Sequence, residues 1–196
     1  RYRAQDDALV FEILNEPHDR LQGTAWQELM QAALAVIRES NPNRWVVIDG
    51  DAWGGVQGLS ALLLPEEDRR LIGSFHYYEP FRLTHQGAEW VSGSFAWLGT
   101  TWSGTPAEQA AVRRDLDRAT RWAEQYDRPV LLGEFGVYER ADMASRVAWT
   151  AFVAREAEAR GFSWAYWEFG AGFGVYDRET RTYRPELHAA LVPDRP

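Results

Sequence analysis

Ala8-Leu9-Val10-Phe11-Glu12-Ile13-Leu14-Asn15-Glu16-Pro17-His18 opens as a short apolar run and stops on an amide, a carboxylate, a proline and an imidazole. Its β-branched and aromatic side chains, bounded by Asn15-Glu16-Pro17, read as a strand over residues 8–14. A helix follows over residues 24–40. Thr24 and Gln27 have capping-box spacing, Leu29, Met30, Ala33, Val36 and Ile37 share one face, and Asn41-Pro42-Asn43 stops it. The same order then recurs along the chain.

Strands are predicted over residues 45–48, 71–76, 129–133 and 162–167. Helices are predicted over residues 59–64, 105–126, 143–160 and 185–191. Thr105-Pro106-Ala107-Glu108 opens the second of these helices with a capping box and a proline at the first helical position. Residues 77–104 have no clear period and are rich in Trp, Gly and Ser; a loop of that length in a compact domain is usually functional. Five strand–helix units in alternation mean an α/β fold, a parallel sheet covered by helices. No repeat or linker interrupts it, so residues 1–196 are expected to form one domain.

Composition narrows the function. The 196 residues include no cysteine, which excludes disulfides and cysteine-based zinc sites. The net charge of -8 argues against a nucleic-acid partner. No apolar run, Ala61-Leu62-Leu63-Leu64 included, approaches the length a bilayer needs, and no membrane partner is expected. The first residues carry no signal-peptide pattern. Ten Trp, eight Tyr and nine Phe supply many amphipathic rings, either as core or as platforms for flat, hydroxyl-rich ligands such as sugars.

In parallel α/β folds the chemistry collects at the C-terminal ends of the strands. There stand Asn15-Glu16-Pro17-His18, then Asp49-Gly50-Asp51 followed by Trp53, then His76-Tyr77-Tyr78-Glu79, then Gly133-Glu134-Phe135, then Trp167-Glu168. Two glutamates on such a rim fit glycoside hydrolysis, in which one carboxyl group protonates the leaving oxygen and the other is nucleophile or base. They equally fit carboxylates that bind loop amides or pair with arginines. His18, His76, His85 and His188 lack metal-ligand spacing, and no metal or cofactor is expected. There is no G-x-S-x-G elbow and no P-loop; Gly170-Ala171-Gly172-Phe173-Gly174 lacks the following helix that a phosphate site needs.

Four segments carry a resemblance. FEILNEPH (11–18), HYYEPFRLTHQGAEW (76–90), LLGEFGVY (131–138) and SWAYWEFGAGFGVYD (163–177) resemble, in the right order, the fourth, sixth, seventh and eighth strand regions of endoglucanase-like family 5 glycoside hydrolases. The resemblance implies Glu16 as general acid/base and Glu134 as nucleophile. It implies Asn15 on the sugar 2-hydroxyl, His76 beside the acid/base, Tyr78 donating to Glu134, and Trp167 as a stacking platform. Trp53 and Glu168 match cleft-lining positions. The implied activity is retaining hydrolysis of a β-1,4-linked glucan, and the implied setting is extracellular. The alternative is an inactive or weakly active fragment that binds glycans or self-assembles.

The family fold is a (β/α)8 barrel of about 250 residues. Here the first unit resembles the family's fourth, so a partial barrel is expected, with the first three units absent. The family's second-strand arginine and third-strand histidine have no match. Apolar sheet edges at residues 9–14 and 162–167 invite pairing, and a homodimer or higher oligomer is expected.

Overall fold

A computed structural model describes residues 2–6 and 8–193. In chain order the elements are β1 (Phe11–Glu12), α1 (Thr24–Ser40), β2 (Val46–Asp49), α2 (Val56–Ala61), β3 (Leu71–Tyr77) and α3 (Phe81–Thr84). A 3-10 turn at Ser94–Trp97 precedes α4 (Pro106–Tyr126), β4 (Val130–Phe135), α5 (Met143–Ala159) and β5 (Ser163–Trp164). The chain ends in a hairpin of β6 (Tyr176–Asp177) and β7 (Thr182–Tyr183), then α6 (Pro185–Leu191). β1 to β5 form one parallel sheet in sequential order, with Phe11 opposite Val46 and Val47 opposite Ile72. Sequential parallel order with a helix between strands is the α/β arrangement of a partial (β/α)8 barrel. No helix among the described residues is long and apolar enough to cross a membrane.

The chain divides into two compact units. The first takes the chain up to His76 together with Asp117–Leu132; the second takes Tyr77–Leu116 and the chain from Gly133 onward.

In the first unit every residue of β2 is buried, because both faces of a parallel strand are covered. Trp26, Met30 and Leu34, at i, i+4 and i+8, are the buried stripe of α1. Trp122 lies over β3 at Gly73, where an added Cβ would stand 2.3 Å from the indole, so the ring occupies the space a side chain would need. The Trp122 Nε1–H donates to the Leu62 carbonyl at 3.0 Å, which keeps this buried donor satisfied.

Two local expectations are corrected here. The strand predicted over residues 8–14 shortens to Phe11–Glu12. It is a sheet edge with a ladder on one side only, and the carbonyl of Leu9 is taken by the buried Arg44 guanidinium at 2.8 Å. Arg44 also donates to the carbonyls of Gln5 (2.7 Å) and Asp6, and its guanidinium sits 5.4 Å from the Phe11 ring centroid. The Thr24–Gln27 capping box does not form. Gly23, at φ 55, is the N-cap and its N–H donates to Asp51 Oδ2 at 2.7 Å, while the Gln27 amide bonds the Leu63 carbonyl.

In the second unit Trp149, Phe135 and Tyr77 are fully buried, and Tyr77 and Trp149 stack at 6.1 Å. Asp142 caps α5 by accepting the Ser145 N–H at 2.8 Å; the Ser145 side chain first, and this N–H next, hold its carboxyl below the usual carboxylate range. Buried Arg146 donates to the carbonyls of Val137 (3.1 Å) and Phe173 (3.2 Å). The capping box at Thr105 and Glu108 forms in both directions, at 2.7 and 3.3 Å. The stretch 77–104 is more ordered than its sequence reads: buried Gln86 donates to Leu83 and Thr100 carbonyls and accepts the Gly99 N–H. The strand predicted over residues 162–167 shortens to Ser163–Trp164, again at a sheet edge.

Candidate active site

In the first unit the C-terminal ends of β1, β2 and β3 meet around one imidazole. Glu16 follows β1 in a left-handed conformation, φ 49. Its N–H donates to Oδ2 of Asp49, the last residue of β2, at 3.1 Å. Its Oε1 lies 2.7 Å from Nδ1 of His76, and the carboxyl side chain is 23% exposed, open enough to reach a ligand. His76 is held by its own N–H, which donates to the Gly54 carbonyl at 2.7 Å, and its Nε2 faces Asp49 Oδ2 at 3.7 Å. Gly54 stands at φ 64, where a Cβ would be 3.4 Å from the His76 ring, so glycine brings this turn close to the imidazole.

Trp53 reaches the same rim from the turn after β2. Its N–H donates to the Pro17 carbonyl, and its indole stacks on His18 with centroids 3.6 Å apart and planes 10° apart. His18 is oriented by its Nδ1, 2.5 Å from the Glu16 carbonyl. One face of the indole is thus covered, and the residue is still 56% exposed. Asn15 is exposed beside Glu16.

In the second unit Glu134, in β4, accepts the Tyr78 hydroxyl at 2.8 Å. A phenol O–H donated to a carboxylate favours its ionised form and fixes its rotamer. The Tyr78 ring meets His85 and Phe173 edge-on at 5.0 and 6.0 Å, and its carbonyl accepts Thr84 Oγ1–H at 2.6 Å. Gly136 lies where a Cβ would stand 2.1 Å from the Trp167 carbonyl, so the chain leaving β4 passes close to the chain leaving β5. Trp167, whose N–H donates to Phe135, is 45% exposed. Glu168 turns its Oε1 to the N–H groups of Ala171 (2.7 Å) and Phe173 (3.3 Å), so at least one of its oxygens organises the loop.

Two residues stand in segments that the sequence singles out but were assigned no role there. Asp49, at the end of an apolar strand, is fully buried. Trp90, 61% exposed, stands on the ordered loop with its ring edge-on to Tyr138 at 4.9 Å. Tyr138 is fixed in turn by donating to Glu89 at 2.8 Å; burial, with Glu89 next, pushes its phenol up to about 12. Its place in the Trp-, Gly- and Ser-rich stretch 77–104 was the signal for Trp90.

A carboxyl group against an imidazole after one barrel strand, and a carboxylate held by a phenol in another, are groups that glycoside hydrolysis uses. The chain belongs to the cellulase family, glycosyl hydrolase family 5, whose model matches residues 1–172. Endoglucanase H of Acetivibrio thermocellus is 35% identical over 198 residues, covering 97% of this chain and 20% of that protein. A solved endoglucanase is 46% identical, with a TM-score of 0.95, over 98% of this chain and 62% of its own. Thermotoga maritima Cel5A, solved with cellobiose, is 44% identical with a TM-score of 0.95, over 97% of this chain and 62% of its own. The same enzyme has been solved with mannotriose, at 44% identity and a TM-score of 0.94. This chain therefore spans less than two thirds of these relatives.

Proposed function

We propose that this chain carries the catalytic carboxyl pair of a retaining endo-β-1,4-glucanase, with Glu16 as acid/base and Glu134 as nucleophile. The observation that carries the reading is the contrast between the two carboxyl groups' partners. Glu134 accepts a phenol O–H, which suits an ionised nucleophile; Glu16 faces an imidazole, which can accept a proton from a carboxylic acid. In the first step Glu134 attacks the anomeric carbon. The glycosidic C–O bond breaks, and the leaving oxygen takes the proton of Glu16. In the second step water attacks that carbon, gives its proton to Glu16, and releases Glu134. The first step requires the two carboxyl groups about 5–5.5 Å apart. Asn15 would bond the 2-hydroxyl, and Trp167, Trp53 and Trp90 offer exposed indoles for sugar faces. Glucan is the proposed substrate because Cel5A was solved with cellobiose; its mannotriose complex makes a mannan backbone the competing one. Polymers of this kind do not cross membranes, so the reaction belongs outside the cell.

The test is reducing-sugar release from carboxymethyl-cellulose and from glucomannan, wild type against Glu134→Gln. Release by wild type alone is expected; no release above background by wild type would remove the enzyme reading. A second reading is glycan binding and self-association without efficient turnover. Exposed Val10 and Leu14, which flank the edge strand β1, support it, together with Leu29 and Val36 of α1. Pairing of two chains through this edge would cover them.

A further inference from the structure

Asp49 is a costly residue that the reaction outlined above does not use. Its carboxyl group is fully buried at the end of β2. Oδ2 accepts the Glu16 N–H at 3.1 Å, and Oδ1 has no hydrogen-bond partner among the described residues. A buried, incompletely partnered carboxyl group destabilises a fold by an amount that hydrophobic residues of the same size would not. The imidazole of His76 faces it, with Nε2 at 3.7 Å. That is too long for a hydrogen bond but close enough for charge to decide between tautomers.

Asp49, His76 and Glu16 thus lie in a line: Oδ2, then Nε2 and Nδ1 across the ring, then Oε1 at 2.7 Å. A neutral imidazole has one N–H. With the proton on Nε2 it points at the Asp49 carboxylate. With the proton on Nδ1, a lone pair would point at that carboxylate instead. The Asp49 carboxylate favours the Nε2–H tautomer, which leaves Nδ1 as an acceptor, whereas an ionised Glu16 would favour Nδ1–H. An acceptor at 2.7 Å from Glu16 Oε1 needs the shared proton to come from Glu16. This is the form a general acid must have before the glycosidic bond breaks.

We propose that Asp49 is a positioning residue that sets the tautomer of His76 and so keeps the proton on Glu16 in the resting site. Its Oδ2 bond to the Glu16 N–H holds the same residue in its left-handed conformation, so one carboxylate places both the backbone and the proton of the acid. The proposal rests on reading Glu16 as the acid. Other ionisable groups near this line are His18, whose Nδ1 is 2.5 Å from the Glu16 carbonyl, and Asp51, which accepts the Gly23 N–H at 2.7 Å. In the proposed reaction Glu134 also faces Glu16. All three are kept in Asp49→Asn, so their effects cancel in the comparison.

The test uses the full chain and has two readouts. Nitrogen NMR of the histidine rings reports the His76 tautomer without any turnover. Wild type is expected as Nε2–H, and folded Asp49→Asn as Nδ1–H or a mixture. A wild-type Nδ1–H tautomer overturns the proposal, as does an unchanged tautomer in folded Asp49→Asn. The wild-type spectrum decides even if the variant fails to fold. The second readout is the pH profile on carboxymethyl-cellulose. In Asp49→Asn its basic limb should move to lower pH by at least about half a unit, while the rate on 2,4-dinitrophenyl cellobioside, whose leaving group needs no acid, changes less. Equal loss on both substrates with an unmoved limb would make Asp49 merely structural. A wild type with the expected tautomer and no turnover would instead sink the glucanase reading.

Discussion

Tyr78→Phe isolates the contribution of one hydroxyl. The ring stays, and its neighbours meet it edge-on, His85 at 5.0 Å and Phe173 at 6.0 Å, so the change opens no cavity. What is lost is the O–H donated to Glu134 at 2.8 Å. A hydrogen bond to a charged group contributes about 1.5–3 kcal/mol, which converts to a loss of about 10- to 150-fold in kcat/KM. The pH dependence follows from the sign of the interaction. The phenol favours ionised Glu134, and hydrolysis needs that form. Without the phenol, protonation competes at higher pH, so the acid limb of the kcat/KM profile should move upward, by up to about 1–2 units. Initial rates on cellotetraose from pH 4 to 8 measure both effects. A loss below about twofold with an unmoved acid limb would mean that the hydroxyl does not act on the nucleophile. Complete loss would mean that it does more than orient and stabilise.

Three other outcomes are expected. Glu16→Ala should slow polysaccharide hydrolysis far more than hydrolysis of 2,4-dinitrophenyl cellobioside, since an activated aryl group leaves without protonation; equal slowing on both would give Glu16 another role. Gly73→Ala should destabilise the chain by about 1–3 kcal/mol, because its Cβ would stand 2.3 Å from the Trp122 ring; calorimetry with an unchanged Tm would show that the indole yields freely. Light scattering at micromolar concentration should find dimers or larger species, reflecting the exposed residues along β1 and α1; a stable, folded 22.5 kDa monomer would end that idea.

The strand–helix alternation was legible because each helix has a periodic face and each strand a short apolar run. α1 (Thr24–Ser40) and α6 (Pro185–Leu191) run over the residues that their periodicity and stop signals mark. The edge strands were not legible in extent. Whether residues 8–14 or 162–167 join a ladder depends on which neighbours offer backbone partners, and Arg44 takes the Leu9 carbonyl first. The hairpin β6–β7 was missed because its turn carries no glycine. Asp177 makes it by accepting the N–H groups of Glu179 (2.9 Å) and Thr180 (3.1 Å), and Arg181 adopts φ 56. At the candidate site, the residue types at the strand ends could be read directly. The Asp49–His76–Glu16 line could not, since it joins positions separated by 27 to 60 residues along the chain. Likewise, nothing local marks Gln86 as the residue around which the long loop folds.

Arg44 grips the beginning of the fold through carbonyl oxygens, those of Tyr2, Gln5, Asp6 and Leu9, with the face of Phe11 beside it. Every amino acid has a carbonyl, so this clasp is indifferent to the identity of the residues it holds. A saturation screen should therefore find a lopsided map. Position 44 would accept almost nothing, because only a guanidinium has five donors spread in a plane. Residues 3–5 would accept nearly anything. Variation there would be silent not because the segment is unimportant, but because the contact recognises the backbone and ignores the side chains.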